Sequence, residues 1–365
     1  MATLAEPEIT FTRQPHPAPV PADVRAQILA NPGFGTNFTD HMVSIDWTEG
    51  RGWHDAVIGP RQPIPLDPAT AVLHYAQEIF EGLKAYNQVD GSVALFRPEA
   101  NAARFNQSAA RLAMPALPEA TFIESIRQLV TVDRAWIPSG EGASLYLRPF
   151  MFASEAFLGV RPAKQYKYLV IASPAGNYFK SGAPAVSIWV SDYTRAAPGG
   201  TGAAKCGGNY AASLVPQAEA IERGHDQVVF LDAAEQKWIE ELGGMNLYFV
   251  FDDGTLLTPS LTGTILPGIT RASLLALARD EGLTVREERY SLDQWREDAQ
   301  SGRLVETFAC GTAAVVTSVG KVAGRDGEFT IGSGGPGQLT QKLKNRLVAI
   351  QRGEAADPHG WIMKL

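Results

Sequence analysis

At 365 residues the chain has room for roughly two domains of ordinary size, each burying its own apolar core. Hydrophobic residues make up 45% and charged residues 19%, which excludes a disordered or low-complexity chain. A formal net charge of -7 and the lack of any Lys/Arg block argue against a nucleic-acid partner and leave small molecules as the expected ligands.

The longest apolar stretches, YLVIA at 168–172 and LYFVF at 247–251, fall far short of a bilayer span, so no membrane association is expected. The start, MATLAEPEITFTRQP, has neither a basic segment nor an apolar one behind it, so a cytoplasmic location is expected. Two cysteines, Cys206 and Cys310, make no disulfide framework and are expected to be reduced. The six histidines are scattered without metal-ligand spacing, and no metal is expected.

In chain order, residues 1 to about 70 are rich in Pro, Gly and Asn and predict a loop-heavy opening with short strands such as MVSIDW. AVLHYAQEIF, GLKAYNQ and SVALFRP then predict a strand-rich stretch leading into a helix over EANAARFNQSAARLAMP. There Phe105, Ala109 and Leu112 repeat at helical spacing, and Arg104, Ser108 and Arg111 share another face. TFIESIRQLVTVDRAWI reads as a second helix, and ASLYLRPFMFAS and KYLVIASPAG as strands. GNYFKSGAP marks a linker. Beyond it come strands in VSIWVSDYT and DQVVFLD around a helix in NYAASLVPQAEAIERG, a meander over KWIEELGGMNLYFVFDDGTLLTP, and helices in ITRASLLALARDEG and QLTQKLKNRLVAIQ. The expectation is an α+β chain with a smaller mixed domain over 1–178, a linker over 179–189 and a larger strand-rich domain over 190–365. GSGGPG at 332–337 matches the dinucleotide fingerprint, but too few residues follow it for the rest of that fold, so it reads as a turn.

Chemistry concentrates in a few segments. In PGGTGAAKCGGNYAAS, Lys205 stands between glycines, which let a bulky ligand approach the backbone, with Tyr210 close behind. A phosphate-binding P-loop is ruled out, because Ala204 and Cys206 occupy the positions it would need. A Schiff-base lysine requires a phosphate cup, an acid for a ring nitrogen and donors for a carboxylate. The Pro-Gly turn before Ile269 and Thr270 offers a helix N-terminus to an anion, although a plain Thr cap reads equally well. Arg104 is a further phosphate candidate, and Gly311-Thr312-Ala313 interrupts an apolar strand as either an anion nest or a structural turn. Glu240 and Glu241 alternate along an apolar strand, so one is expected inward and the other in solvent. The inward carboxylate needs a partner.

Taken together, LHYAQEIFEGLKAY, FRPEANAARFNQSAARL, YLRPF, GTGAAKCGGNYAAS, EELGGMN, LTPSLTGTILPGITR and FACGTAAVV resemble the branched-chain amino-acid aminotransferases, of the fold type IV group of pyridoxal-phosphate enzymes. The blocks run in family order from about 72 to 320. The resemblance implies pyridoxal 5'-phosphate as cofactor, with Lys205 as its Schiff-base lysine and proton carrier. Glu241 would stand at the pyridine nitrogen and Tyr210 at the phenolate oxygen, and Arg104, Ile269, Thr270 and Thr312 would hold the phosphate. It further implies a substrate pocket of Tyr75, Phe80, Tyr146 and Tyr178, with the α-carboxylate on Thr312 and Ala313 and Arg148 meeting the distal carboxylate of glutamate. A homodimer with residues of both subunits near each site is implied as well. The sequence departs from many relatives in having Gly244 where they carry Thr, and it has Ala314 and Thr317 where some carry a Cys-x-x-Cys pair, so no thiol switch is expected there.

The resulting expectation is reversible amino transfer between leucine, isoleucine or valine and 2-oxoglutarate. A D-amino-acid aminotransferase and an aminodeoxychorismate lyase are the alternatives within the fold, a nicotinamide-binding reductase and a ligand-binding module those outside it.

Overall fold

The computed structural model describes residues 9–140, 142–176 and 185–365. It divides into two compact units, Met1–Tyr178 with Asp357–Leu365, and Phe179–Ala356. The last nine residues, expected in the second domain, therefore return to the first, where Ile362–Lys364 pairs antiparallel with Val93–Phe96. Of the linker expected over 179–189, residues up to 184 lie outside the described ones and Val186–Val190 is a strand.

The first unit carries a nine-stranded sheet among the described residues, mostly antiparallel. Its centre is the long pair Ser144–Ala153 and Gln165–Ala175, joined on one side by His41–Thr48 and on the other by Leu83–Asn87. The helices Pro98–Arg111 and Glu119–Val132 cover one face, where Phe105, Phe122 and Tyr168 meet edge to face or tilted. Along Ser144–Ala153 the side chains alternate. Leu145, Leu147 and Met151 are buried, whereas Tyr146, Arg148 and Phe150 leave the other face half-buried. Pro98–Arg111 buries a wider stripe than its apolar spacing predicts, since Asn101, Arg104 and Ser108 go inward with Phe105 and Ala109. The opening segment also holds a helix the pattern did not reveal, Ala22–Ala30, which buries no residue and so has no amphipathic signal.

In the second unit a nine-stranded sheet among the described residues curls on itself. Ile239–Leu242 pairs with both Gln227–Leu231 and Asn246–Phe251, and this closes a circuit through Val186–Val190, Val315–Gly324 and Leu304–Gly311. Leu247, Phe249, Val229, Ile188 and Val319 fill the interior with Trp295. Closing a sheet this way leaves its strand ends as a rim, and the chemically interesting residues of this unit gather at one such end.

The GSGGPG segment is a turn, as expected, and the helix end that follows it is bonded within the chain. The carboxylate of Glu306 accepts the N–H groups of Leu339 (2.9 Å) and Thr340 (2.8 Å) and the Thr340 hydroxyl (2.7 Å), so the N-terminus of Gln338–Gln351 already holds an internal anion. A Cβ on Gly337 would lie 1.9 Å from that carboxylate. Among the described residues no helix is long and apolar enough to cross a membrane.

Glu306→Ala is therefore expected to lower the unfolding free energy by about 2 to 3 kcal/mol, the scale of lost charge-assisted bonds. A urea titration checks this; a change within about 0.5 kcal/mol would mean that the helix end is held by other means.

Candidate active site

In the second unit, Lys205 sits in the turn before the short helix Gly207–Ala211. Its Nζ donates to the Tyr210 hydroxyl at 2.9 Å. The turn is shaped by Asn209, which the sequence reading did not single out. Its amide donates to the carbonyls of Thr201 (2.8 Å) and Ala204 (2.8 Å) and accepts from the Thr201 hydroxyl (2.7 Å). Gly202 permits a tight approach, because a Cβ there would stand 2.4 Å from the Thr264 carbonyl oxygen.

Glu241 is 2% exposed on Ile239–Leu242. One carboxylate oxygen accepts the Leu266 N–H at 2.9 Å and pairs with Arg195 at 2.8 Å. Burial pushes this carboxyl up to about 7, against the pull of Arg195, of the Leu266 N–H and of the charge of Lys205. Glu240, expected to face solvent if Glu241 turned inward, is instead 6% exposed. The Thr264 hydroxyl donates to it, and burial raises its pKa. The segment around Thr264 covers the outer face of this strand, which simple alternation does not foresee.

Asn246 ties these parts to the next helix. It pairs with Glu241 across the Gly243–Gly244 turn and with Cys310, and its amide donates to the Leu266 carbonyl at 3.0 Å. A Cβ on Gly268 would lie 2.1 Å from the Asn246 Oδ1, so only glycine lets the chain turn there into Ile269–Asp280. Ile269 and Thr270 are its first residues and Gly268 is its cap without a side-chain bond, so Thr270 is not a capping threonine. The N–H groups of this first turn have no carbonyl a turn back and suit an anion.

Thr312 and Ala313 lie in the turn joining Leu304–Gly311 to Val315–Gly324. Val315 takes φ 62°, a left-handed conformation that β-branched residues avoid, at a cost of about 1 to 2 kcal/mol. A Cβ on Gly311 would stand 3.4 Å from the Gly244 carbonyl, which places this turn beside the Gly243–Gly244 one. At Gly244 a Cβ would have only Tyr210 near it, at 3.6 Å, so the departure from Thr leaves space rather than a clash.

In the first unit, Tyr146 and Arg148 form one group with Phe80. Arg148 donates to the Tyr146 hydroxyl at 3.2 Å, and its guanidinium lies 4.7 Å from the Phe80 ring centre and 5.5 Å from that of Tyr146. Phe34, unmarked in the sequence, meets the Tyr146 ring edge-on at 5.2 Å. Gly82 makes room for Tyr146, whose hydroxyl would be 2.2 Å from a Cβ there. Tyr75 is placed differently, 41% exposed with its hydroxyl donating to the Leu158 carbonyl. Arg104 is buried in a bidentate pair with Glu81, at 2.7 and 2.8 Å, a partner the sequence reading did not give it. Tyr178 lies outside the described residues.

A buried acid, a lysine against a phenol and a helix N-terminus on one closed sheet define the type of enzyme. The family model described as "Amino-transferase class IV" matches residues 78–322. The chain belongs to this family, in the branch of the branched-chain-amino-acid aminotransferases. It is 58% identical to the branched-chain-amino-acid aminotransferase of Mycolicibacterium smegmatis over 98% of both chains. To that of Mycobacterium tuberculosis it is 60% identical over 93% of this chain and 94% of the relative. Among solved structures it resembles the Escherichia coli branched-chain amino acid aminotransferase, at 30% identity and a TM-score of 0.73, over 88% of this chain and 98% of that one. It also resembles the T.th. branched-chain amino acid aminotransferase solved with pyridoxamine 5'-phosphate, at 28% identity and a TM-score of 0.72, with the same coverage.

Because the folded value of Glu241 lies above the ordinary 4.5, its contribution to stability is fully present below about pH 4.5 and is lost as the pH rises through about 7. The unfolding free energy of the cofactor-free protein, taken relative to Glu241→Gln, should thus fall on the order of 3 kcal/mol over that range. A difference that stays flat or rises would mean that Arg195 outweighs burial.

Proposed function

We propose that the protein transfers an amino group reversibly between L-leucine, L-isoleucine or L-valine and 2-oxoglutarate, with pyridoxal 5'-phosphate carried by Lys205. The observation that carries this reading is the pairing of Lys205 with Tyr210 beside the buried Glu241, on which the lysine charge acts. The donor set fits the cofactor: Glu241 is a buried acid with a raised pKa, suited to a ring nitrogen, and the start of Ile269–Asp280 suits a phosphate. The bound cofactor supplies an electron sink for the bond to the substrate α-proton.

The chain's own residues then have separable tasks. Glu241 holds a proton at the ring nitrogen, with Arg195 as its countercharge. Tyr210 donates to the phenolate oxygen. Ile269, Thr270 and Thr312 hold the phosphate, and the Glu81 pair sets the plane of the Arg104 guanidinium for the same purpose. Lys205 takes the proton from the substrate α-carbon, and Thr312 and Ala313 receive the α-carboxylate. Phe80 and Tyr146 offer aromatic faces to an aliphatic side chain, and Arg148 meets the distal carboxylate when glutamate enters.

The protein acts as a homodimer in the cytoplasm. Leu73 (58% exposed), Leu158 (74%) and Val160 (89%) stand in the open with Tyr75, whose hydroxyl bond to Leu158 joins them into one patch that a second copy would cover. Both cysteines are buried and free, in keeping with a reducing compartment.

Purified enzyme supplied with L-leucine and 2-oxoglutarate should form glutamate and 4-methyl-2-oxopentanoate, and Lys205→Ala should lower the rate at least about a thousandfold. Turnover of D-alanine with none of L-leucine would reverse the substrate reading. In light scattering, a mass near twice 39.3 kDa is expected. A monomer at micromolar concentration would leave the exposed patch without its occupant.

A further inference from the structure

The second unit holds a cavity of about 210 Å³ that none of the residues assigned to amino transfer lines. Pro198, Ile239, Pro259 and Ile265 give it apolar walls, and Trp238 and Arg289 border it. It lies across Ile239–Leu242 from Glu241, since Glu240 lines it and successive residues of a strand face opposite ways.

Glu240 is 6% exposed, and only one of its carboxylate oxygens is engaged. The Thr264 hydroxyl donates to Oε1, and because its hydrogen is spent there, the Thr262 hydroxyl must donate to Thr264, at 2.8 Å. Both hydrogens thus run toward the acid. Oε2 has no hydrogen-bond partner among the described residues. Arg195 attracts Glu240 from a distance, but its bonds go to Glu241 and to the Thr264 carbonyl. Burial raises the Glu240 pKa, because no bonded cation offsets the lost hydration.

The other two carboxylates of the wall are already matched. Asp232 accepts the backbone N–H groups of Ala234, Glu235, Lys237 and Trp238. Glu235 accepts the Trp238 indole N–H at 3.0 Å and has Arg289 3.9 Å away. What the cavity lacks is therefore one donor on a positive group, set against apolar walls. Its wall is also continuous with the surroundings of Glu241, since the Thr264 carbonyl holds Arg195 and the Leu266 N–H holds Glu241.

We propose that this cavity is a second ligand site, separate from that of Lys205, which takes a small protonated amine with a compact apolar body. The ammonium N–H donates to Glu240 Oε2, and the apolar body lies against Ile239, Pro259 and Ile265. Glu240 repels a carboxylate or phosphate, and a neutral ligand leaves the buried charge without a counterion. The inference goes beyond the amino-transfer reading and does not depend on it.

The probe is N-methylpiperidine, which is protonated at neutral pH and, as a tertiary amine, cannot condense with a carbonyl cofactor. Calorimetric titration of the holoenzyme should show one site per chain with a Kd that is millimolar or tighter and unchanged by saturating L-leucine. Neutral tetrahydropyran and the anion cyclohexanecarboxylate should bind at least about tenfold more weakly, and Glu240→Gln should weaken the probe by the same factor. Displacement by L-leucine would put the probe in the amino-transfer site and overturn the proposal. No binding, equal binding of the three compounds, or an unchanged Kd in Glu240→Gln would overturn it too. Should Glu240→Gln not fold, a crystal of wild-type holoenzyme soaked with the probe carries the test. The probe nitrogen at hydrogen-bond distance from Glu240 is the expected result, and a cavity without the probe overturns the proposal. Enzyme that binds the probe there but transfers no amino group from L-leucine fails the amino-transfer reading alone.

Discussion

The Glu241–Arg195 pair is the contact on which the chemistry proposed for the second unit depends. Both side chains are 2% exposed, so neither charge has water to fall back on, and removing one partner would leave the other uncompensated at about 3 to 5 kcal/mol. The pair joins three separate stretches of chain. Arg195 precedes the lysine loop and also donates to the Thr264 carbonyl at 3.1 Å, Glu241 comes from the closed sheet, and Leu266 leads into the helix that offers its N-terminus. The Arg195 Nε is nonetheless buried without a hydrogen-bond partner among the described residues, so the pair is not optimised for stability. A well-packed apolar replacement would serve the fold at least as well. What only the ion pair provides is an acid kept beside Lys205 in a place free of water.

On the proposed reading the first unit meets a different demand, an aliphatic side chain and a carboxylate in one pocket. The alternation of Ser144–Ala153 sends Tyr146, Arg148 and Phe150 to one face and leaves Leu145, Leu147 and Met151 to anchor the strand. Arg148 lies over two aromatic rings, which lowers the cost of keeping a guanidinium among apolar atoms when no anion is present. The same rings present apolar faces to a branched side chain. Leucine and isoleucine are isomers and valine lacks one methylene of either, a difference worth roughly 1 to 3 kcal/mol, so the proposed wall would accept all three.

Local signals made much of this legible in the sequence. The Pro-Gly turn announced the helix start at Ile269, the glycines around Lys205 announced a loop built for close approach, and the interruption at Gly311 became a turn between two strands. Residues whose meaning lies in distant partners stayed hidden. Arg195 has no local mark of its bond to Glu241, Arg104 gave no sign of Glu81, and Phe34 sits in a Gly-rich stretch far in sequence from the Tyr146 it meets. Alternation failed for Glu240 because it describes one strand, not the segment lying over it. The return of the C-terminus to the first unit was invisible for the same reason, since a three-residue edge strand has no periodicity to read.

The claim that everything else serves is that Lys205 carries the cofactor. Reduction of the holoenzyme with borohydride, followed by proteolysis and peptide mass mapping, tests it directly. A phosphopyridoxyl mass on Lys205 and on no other lysine is the predicted result. The same mass on another lysine, above all on the buried Lys84, with Lys205 unmodified would contradict it.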